Sequence, residues 1–415
     1  MTSGKRVCRF CDTALQHTLV DLGMSPLCET FLDAEQLDEA EAFFPLDPHV
    51  CHKCFLVQLA EYVAPDEIFD DRYPYYSSYS ESWVEHARQY VDSVIERLSL
   101  DSSNLVVEVA SNDGYLLQHL VARGIRVLGV DPAANVAAAA AERGIRTLVR
   151  FFGTETARSI VTEYGHADLI VGNNVLAHTP HLNDFVAGLE LLLARGGVIT
   201  IEFPHLLRLI DGNQFDTIYH EHFSYFSFMT AEALFAAHDL IVFDVEELSS
   251  HGGSLRVFAR HGGDASKPVT AAVAELRERE RSAGMRDLAF YSQFTEKVED
   301  SKRKLLQFLI DAKRRGRSVA AYGAPGKANT LLNYCGIRRD FIDFIVDRSP
   351  HKHGKFTPGT HIPILPPSAL AEKQPDYVLI LPWNLMGEIT RQVAYIHDWG
   401  GRFVVPIPEV RVLDE

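Results

Sequence analysis

The amino-acid sequence predicts an α/β chain in three parts: a small metal-binding module, a doubly wound nucleoside-binding sheet, and a second Rossmann-like sheet. Three observations carry this. Four cysteines stand as two CxxC pairs near the N-terminus. A strand–turn–helix–strand series ending in an aspartate starts at Leu105, and a second strand–glycine turn–helix starts at Arg317. The 415 residues exceed one ordinary core, in keeping with several domains. Hydrophobic residues at 47% and charged residues at 23% are the composition of a globular protein. A net charge of −16 disfavours nonspecific binding to nucleic acid or to an anionic membrane. No apolar run of roughly 18 residues and no charged-then-apolar leader is present, so a cytoplasmic location is expected.

The first part, expected over residues 1–70, rests on Cys8-Arg9-Phe10-Cys11 and Cys51-His52-Lys53-Cys54. Two thiolates from each knuckle give one tetrahedral zinc four ligands and leave no open position for water. The metal is therefore expected to be structural, with redox dithiols as the alternative. The gap between the pairs exceeds the roughly 15–20 residues of compact ribbons, which leaves room for an insertion over residues 22–44, read as a loop and short helix. Cys28 and Cys335 lack partners at ligand spacing and are expected to pack. Next comes Asp70-Asp71-Arg72-Tyr73-Pro74-Tyr75-Tyr76-Ser77-Ser78-Tyr79, too polar for a core strand and unusually aromatic for a linker. It suits stacking on a ring or an interdomain seam. A helix follows over residues 83–98, with Trp83, Tyr90, Val91, Val94 and Leu98 near one stripe.

The second part, expected over residues 71–265, begins with the strand Leu105-Val106-Val107-Glu108-Val109-Ala110 and the turn Ser111-Asn112-Asp113-Gly114. A second strand ends at Asp131, placed to bond the two hydroxyls of a ribose. Further strands end at Asn173-Asn174 and Glu202, and His178 stands in a turn before Thr179-Pro180. No GxGxxG is present, so NAD fits poorly. The densest chemistry lies in Phe215-Asp216-Thr217-Ile218-Tyr219-His220-Glu221-His222-Phe223. Titratable groups are costly to desolvate, so their crowding between aromatics points to tuned acid–base chemistry. If residues 218–223 are extended, His220 and His222 share a face; in a helical turn Tyr219 meets His222. His251-Gly252-Gly253-Ser254 reads as a turn admitting a ligand or as a plain hairpin.

The third part, expected over residues 266–415, opens with one or two long helices. Then comes Tyr322-Gly323-Ala324-Pro325-Gly326-Lys327-Ala328-Asn329. Lys327 at a helix N-terminus suits a diphosphate, because amide dipoles and an ammonium act together. Lys352 and Lys355 are possible helpers. Asp347, ending the next strand, keeps NAD as a rival ligand.

Together the cysteine module, Glu108–Gly114, Leu176–Pro180, residues 215–227, the His251 turn and Tyr322-Gly323-Ala324 resemble the three-domain sugar C-methyltransferases of deoxysugar biosynthesis. That resemblance implies a class I methyltransferase sheet binding S-adenosylmethionine, a structural zinc, and methylation of C3 of a dTDP-linked 4-keto-6-deoxyhexose. It implies His222 as the base at C3, with Glu221, Tyr219 and His178 around it. Glu108, Ala110, Asn112, Gly114, Asp131, Phe152, Asn173 and Asn174 are the residues implied for the methyl donor. Tyr73, Tyr75, Tyr219, Lys327 and Asn329 are those implied for the nucleotide sugar. Arg150 departs from the pattern, since an acidic residue is expected near the adenine. Only the resemblance selects His222 over His220. An O- or N-methyltransferase, an NAD-dependent sugar oxidoreductase and a nonenzymatic zinc-ribbon adaptor are the rival readings, and a monomer is the expected state.

Overall fold

A computed structural model of the chain describes residues 6–69 and 75–413, so Tyr73 lies outside the described residues. The N-terminal part is a four-stranded antiparallel sheet of short strands, His17–Thr18, His49–Val50, Val57–Gln58 and Ser224–Tyr225. Its fourth strand comes from the histidine-rich segment far downstream. Leu59 N–H donates to the Phe223 carbonyl at 3.0 Å and extends that pairing. Residues 22–44 hold the expected short helix, Ala34–Asp38, but also a strand that was not expected: Met24–Ser25 pairs with Phe44–Pro45. This insertion clasps the third part, through paired backbone hydrogen bonds between Leu32 and Phe356 and through Glu41 against His361 at 2.8 Å.

The middle sheet has seven strands. Five consecutive strands run parallel, ending at the edge strand Thr147–Leu148, with Leu105–Val109 between Ala167–Asn173 and Arg126–Val130. A switch point thus opens beside the first strand's carboxyl end. Leu105–Val109 is buried at every position, as a central parallel strand must be. The antiparallel pair Leu240–Leu248 and Ser254–His261 closes one edge against Leu193–Pro204, joined by the His251 turn. Helix Ala271–Ser282 follows residue 265 in sequence, yet it inserts Val273 and Leu276 into this sheet's core. Its buried Glu280 accepts the N–H groups of Phe228 and Met229 at 2.5 and 2.8 Å, capping helix Phe228–Ala236.

The third part is a six-stranded sheet with five parallel strands and the antiparallel edge strand Arg411–Val412. Helix Phe294–Arg314 covers it with Val298, Leu305, Leu309 and Ala312, spaced for one face. The expected region of one or two helices thus resolves into three, with Leu288–Ser292 between the long ones. A continuous core runs from Leu19 and Leu46 through Phe215 and Ile218 to Leu305 and Leu379. The first and third parts are therefore packed onto the same segment. Among the described residues, no helix is long and apolar enough to cross a membrane.

Candidate active site

The four CxxC sulfurs lie within 4.8 Å of one another, with Cys8–Cys54 at 3.5 Å and Cys11–Cys51 and Cys11–Cys54 at 3.6 Å. A tetrahedral zinc with bonds of about 2.3 Å needs sulfur separations of roughly 3.8 Å, so these residues fit the ion. The two knuckles repeat one geometry. Asp12 N–H donates to the Cys8 carbonyl and Phe55 N–H to the Cys51 carbonyl, both at 2.9 Å, and Asp12 and Phe55 are both left-handed. Gln58 Nε2 adds a side-chain donor to Cys8 Sγ at 3.2 Å.

A cavity of about 1200 Å³ opens at the switch point and runs to the third part. The turn after Leu105–Val109 bends through two left-handed residues, Ala110 and Asn112. Asn112 and Ala133 donate their N–H groups to the two oxygens of Asp131, each at 2.9 Å. Burial lifts the Asp131 carboxyl to about 6 against those two bonds. Ala110, Asn112, Asp131, Phe152, Asn173 and Asn174 all face the cavity. Glu108 and Gly114 do not. Glu108 is wholly buried behind the wall, and burial, then the charge of Asp131, raises its pKa well above the usual carboxylate range. Gly114, at φ 78°, packs where a Cβ would come within 2.4 Å of Ile145 Cδ1, so its need is conformational and steric. Arg150 lines the same cavity. Asp184, which sequence reasoning missed, is also on the wall and accepts from Thr154 Oγ1 at 2.6 Å.

Residues 218–223 take the turn option: His222 N–H donates to the Tyr219 carbonyl at 2.9 Å. The Tyr219 and His222 ring centroids are 4.0 Å apart, and His178 meets His222 edge-on at 4.7 Å. His222 Nδ1 lies 2.9 Å from the Thr217 carbonyl oxygen. A carbonyl can only accept, which places the neutral ring's proton on Nδ1 and leaves the Nε2 lone pair free. Burial, then the neighbouring His178, pushes His222 well below 6.5, and burial brings His178 and His251 to about 4. All three imidazoles are thus neutral near pH 7. Burial, then Cys28 and Glu221, raises Tyr219 well above 10, so its phenol stays a donor. His220 faces away, between Phe44 and Tyr62, with Nε2 3.1 Å from the Pro45 carbonyl oxygen.

Three sets of contacts at or behind the cavity wall were not specified by the sequence. Cys28 packs, as expected, but against Glu221, Sγ to Oε1 at 3.5 Å. His251 Nε2 lies 3.0 Å from Asn174 Nδ2, so the glycine turn serves the cavity as well as the hairpin. Behind it Glu202 joins Arg256 (2.6 Å), Ser250 (2.7 Å) and His86 (2.9 Å). Burial would raise Glu202, but His86 and Arg256 hold it at about 2.

From the third part, Lys327 Nζ reaches the cavity, 2.7 Å from Asn384 Oδ1 and 4.6 Å from the Trp383 ring centre. Tyr75 and Lys352 also face it, whereas Lys355 pairs with Asp33 at 3.4 Å outside it. Asn329 corrects the sequence expectation. It lies on the buried side of its helix, its Nδ2 spent on the Cys28 carbonyl at 2.5 Å, and it does not line the cavity.

Family models match three successive stretches: "Putative zinc binding domain" over residues 8–69, "Methyltransferase domain" over 83–244, and "C-methyltransferase C-terminal domain" over 249–408. C-methyltransferase NovU of Streptomyces niveus is 40% identical over 406 residues, covering 98% of this chain and 96% of NovU. The chain belongs to this C-methyltransferase family. It is an S-adenosylmethionine-dependent C-methyltransferase with an N-terminal zinc-binding module. Among solved structures, about half of this chain aligns with most of the length of several smaller proteins. PH0226 of Pyrococcus horikoshii OT3 is 16% identical and covers 49% of this chain and 99% of its own, with a TM-score of 0.36. The 1,6-didemethyltoxoflavin-N1-methyltransferase of Burkholderia thailandensis is 18% identical and covers 50% and 94%, also at 0.36.

Proposed function

We propose that this C-methyltransferase methylates C3 of a dTDP-linked 4-keto-6-deoxyhexose through an enolate. The observation that carries the reading is His222: a neutral imidazole, its Nδ1 occupied by Thr217, with Nε2 left as the basic atom of a cavity wall. Carbon is a poor nucleophile unless a neighbouring carbonyl stabilises its carbanion. A 4-keto group does this for C3, moving charge onto O4 as the proton leaves. His222 Nε2 takes that proton. Tyr219, its ring tilted against the imidazole, donates its phenol hydrogen to O4 as charge builds there. His178 confines the imidazole edge-on.

S-adenosylmethionine, when bound, supplies an electrophilic methyl in line with the carbanion. The residues present suit it: the Ala110–Asn112 turn exposes backbone, and each Asp131 oxygen keeps a lone pair for a ribose hydroxyl. Asn173, Asn174 and Phe152 complete that wall. The cavity exceeds the roughly 300–1,000 Å³ of a single-ligand pocket, which leaves room for a second ligand beside the donor. Lys327, in the first turn of helix Gly326–Cys335, is the diphosphate contact in this reading, with Tyr75 near the sugar.

The test is a panel of dTDP-4-keto-6-deoxyhexoses incubated in deuterated water. The expected result is donor-independent C3 deuteration and, with S-adenosylmethionine, a methyl on C3 by NMR. A methyl on oxygen or nitrogen sinks the enolate reading; a methyl on C5, the other carbon beside the ketone, keeps the enolate and moves the site. The pH profile is a second expectation. The base works when deprotonated, and its pKa in the folded protein lies below 6.5. Exchange should therefore hold level from pH 8 to about 6.5 and decline only in more acidic buffer. A midpoint above 7 would exclude His222.

A further inference from the structure

Trp383 joins the cation at one end of the cavity to the turn that holds His222. It follows strand Tyr377–Ile380 of the third part, and three contacts converge on it. Its ring faces Lys327 Nζ at 4.6 Å. Its Nε1 donates to Asp216 Oδ2 at 2.7 Å. Its far edge fills the space above Gly252, where a Cβ would come within 2.5 Å of Cη2. Asp216 is wholly buried, Oδ1 has no hydrogen-bond partner among the described residues, and the indole is the side-chain bond to this carboxyl, beside the backbone N–H groups of its own turn and the charge of Lys327. Asp216 sits in the turn Phe215–Thr217, and the next residue offers the carbonyl that accepts from His222 Nδ1. Gln214 ties the start of the same turn to the Gly252 carbonyl at 2.8 Å.

We propose that Asp216 and Trp383 are positioning residues for the methyltransferase reaction, fixing the Thr217 carbonyl, and through it the orientation and tautomer of His222, relative to Lys327. The inference rests on the reading of His222 as the base. The pair acts as a spacer. A substrate anchored by an anionic group at Lys327 presents its reacting carbon to Nε2 only if the turn and the lysine keep one separation. Misplacement by about 1 Å can cost on the order of a hundredfold in rate.

The experiment compares Trp383→Phe, Asp216→Ala, the double variant and Asp216→Asn in the full-length zinc-loaded protein. Phe keeps an aromatic face for Lys327 but removes the N–H donor together with the far edge over Gly252, so it is read beside Asp216→Ala, which leaves the indole whole; Asn keeps an acceptor. Two readouts are taken: kcat with the dTDP-4-keto sugar, and ¹⁵N chemical shifts of labelled His222, which report the tautomer without turnover. The expected result is a fall in kcat of about tenfold or more in Trp383→Phe and Asp216→Ala. KM and dTDP affinity should change less than about twofold, the double variant should be no worse than the singles, and Asp216→Asn should recover most of the rate. His222 should shift from a single Nδ1–H form to a tautomer mixture in the two damaged variants. An unchanged His222 spectrum in folded Trp383→Phe overturns the proposal, as does additive loss in the double variant. If no keto sugar reacts with wild-type protein, the functional reading fails, and the ¹⁵N comparison still decides whether the pair orients the imidazole.

Discussion

His222→Ala is expected to lower methyl transfer by about three orders of magnitude, within the 10²–10⁴ range for loss of a positioned general base. C3 deuteration should fall with it, because both need the same proton removed. S-adenosylmethionine affinity, read by calorimetry, should stay within about threefold, since the ring's hydrogen-bond partner among the described residues is Thr217 and not the turn that holds Asn112 and Asp131. His222→Gln is the sharper variant: its amide can still donate to the Thr217 carbonyl, so the turn keeps its partner while basicity is gone. Retention of exchange in the Gln variant would remove His222 as the base. His220→Ala offers the contrast. That ring is packed between Phe44 and Tyr62, so its loss should appear first as a lower Tm.

Removing the metal is expected to abolish activity although the metal touches no substrate. Four thiolates close the coordination shell, and structural zinc in small modules contributes on the order of 10–16 kcal/mol of folding free energy. That is comparable to the whole stability of an ordinary domain. The module's sheet includes Ser224–Tyr225, two residues beyond His222, paired with Val57–Gln58 a few residues after Cys54. Losing the metal frees that strand and, with it, one support of the segment carrying the base. Cys51→Ser, or exhaustive chelation, should give zinc-free protein by metal analysis, rapid proteolysis within residues 8–69, and activity below a tenth of the starting value. Full activity in demonstrably metal-free protein would refute the structural role.

The sequence revealed what short-range chemistry imposes. Sulfur ligation requires CxxC spacing, and a strand ending in Asp131 after a tight turn is local grammar, so the metal group and the nucleoside turn were legible. The pairing of Val57–Gln58 with Ser224–Tyr225 was not, because two-residue strands carry no periodicity and their register is set by tertiary contact. Nor could spacing decide that residues 218–223 turn; the Thr217 carbonyl and the close contact of the Tyr219 and His222 rings decide it in the folded chain. Asn329 shows the opposite error. The resemblance implied a place for it at the nucleotide sugar with Lys327, but helical geometry rotates two residues by about 200°, and this amide went inward to Cys28.

The borrowed strand also sets a timetable for biosynthesis. Both cysteine knuckles leave the ribosome well before Ser224 is made, so metal capture by the nascent chain precedes completion of the sheet around it. In that interval Val57–Gln58 presents a bare backbone edge, able to pair with any passing strand. Conditions that slow translation between those points, or crowd nascent chains together, should favour insoluble product even where zinc is plentiful.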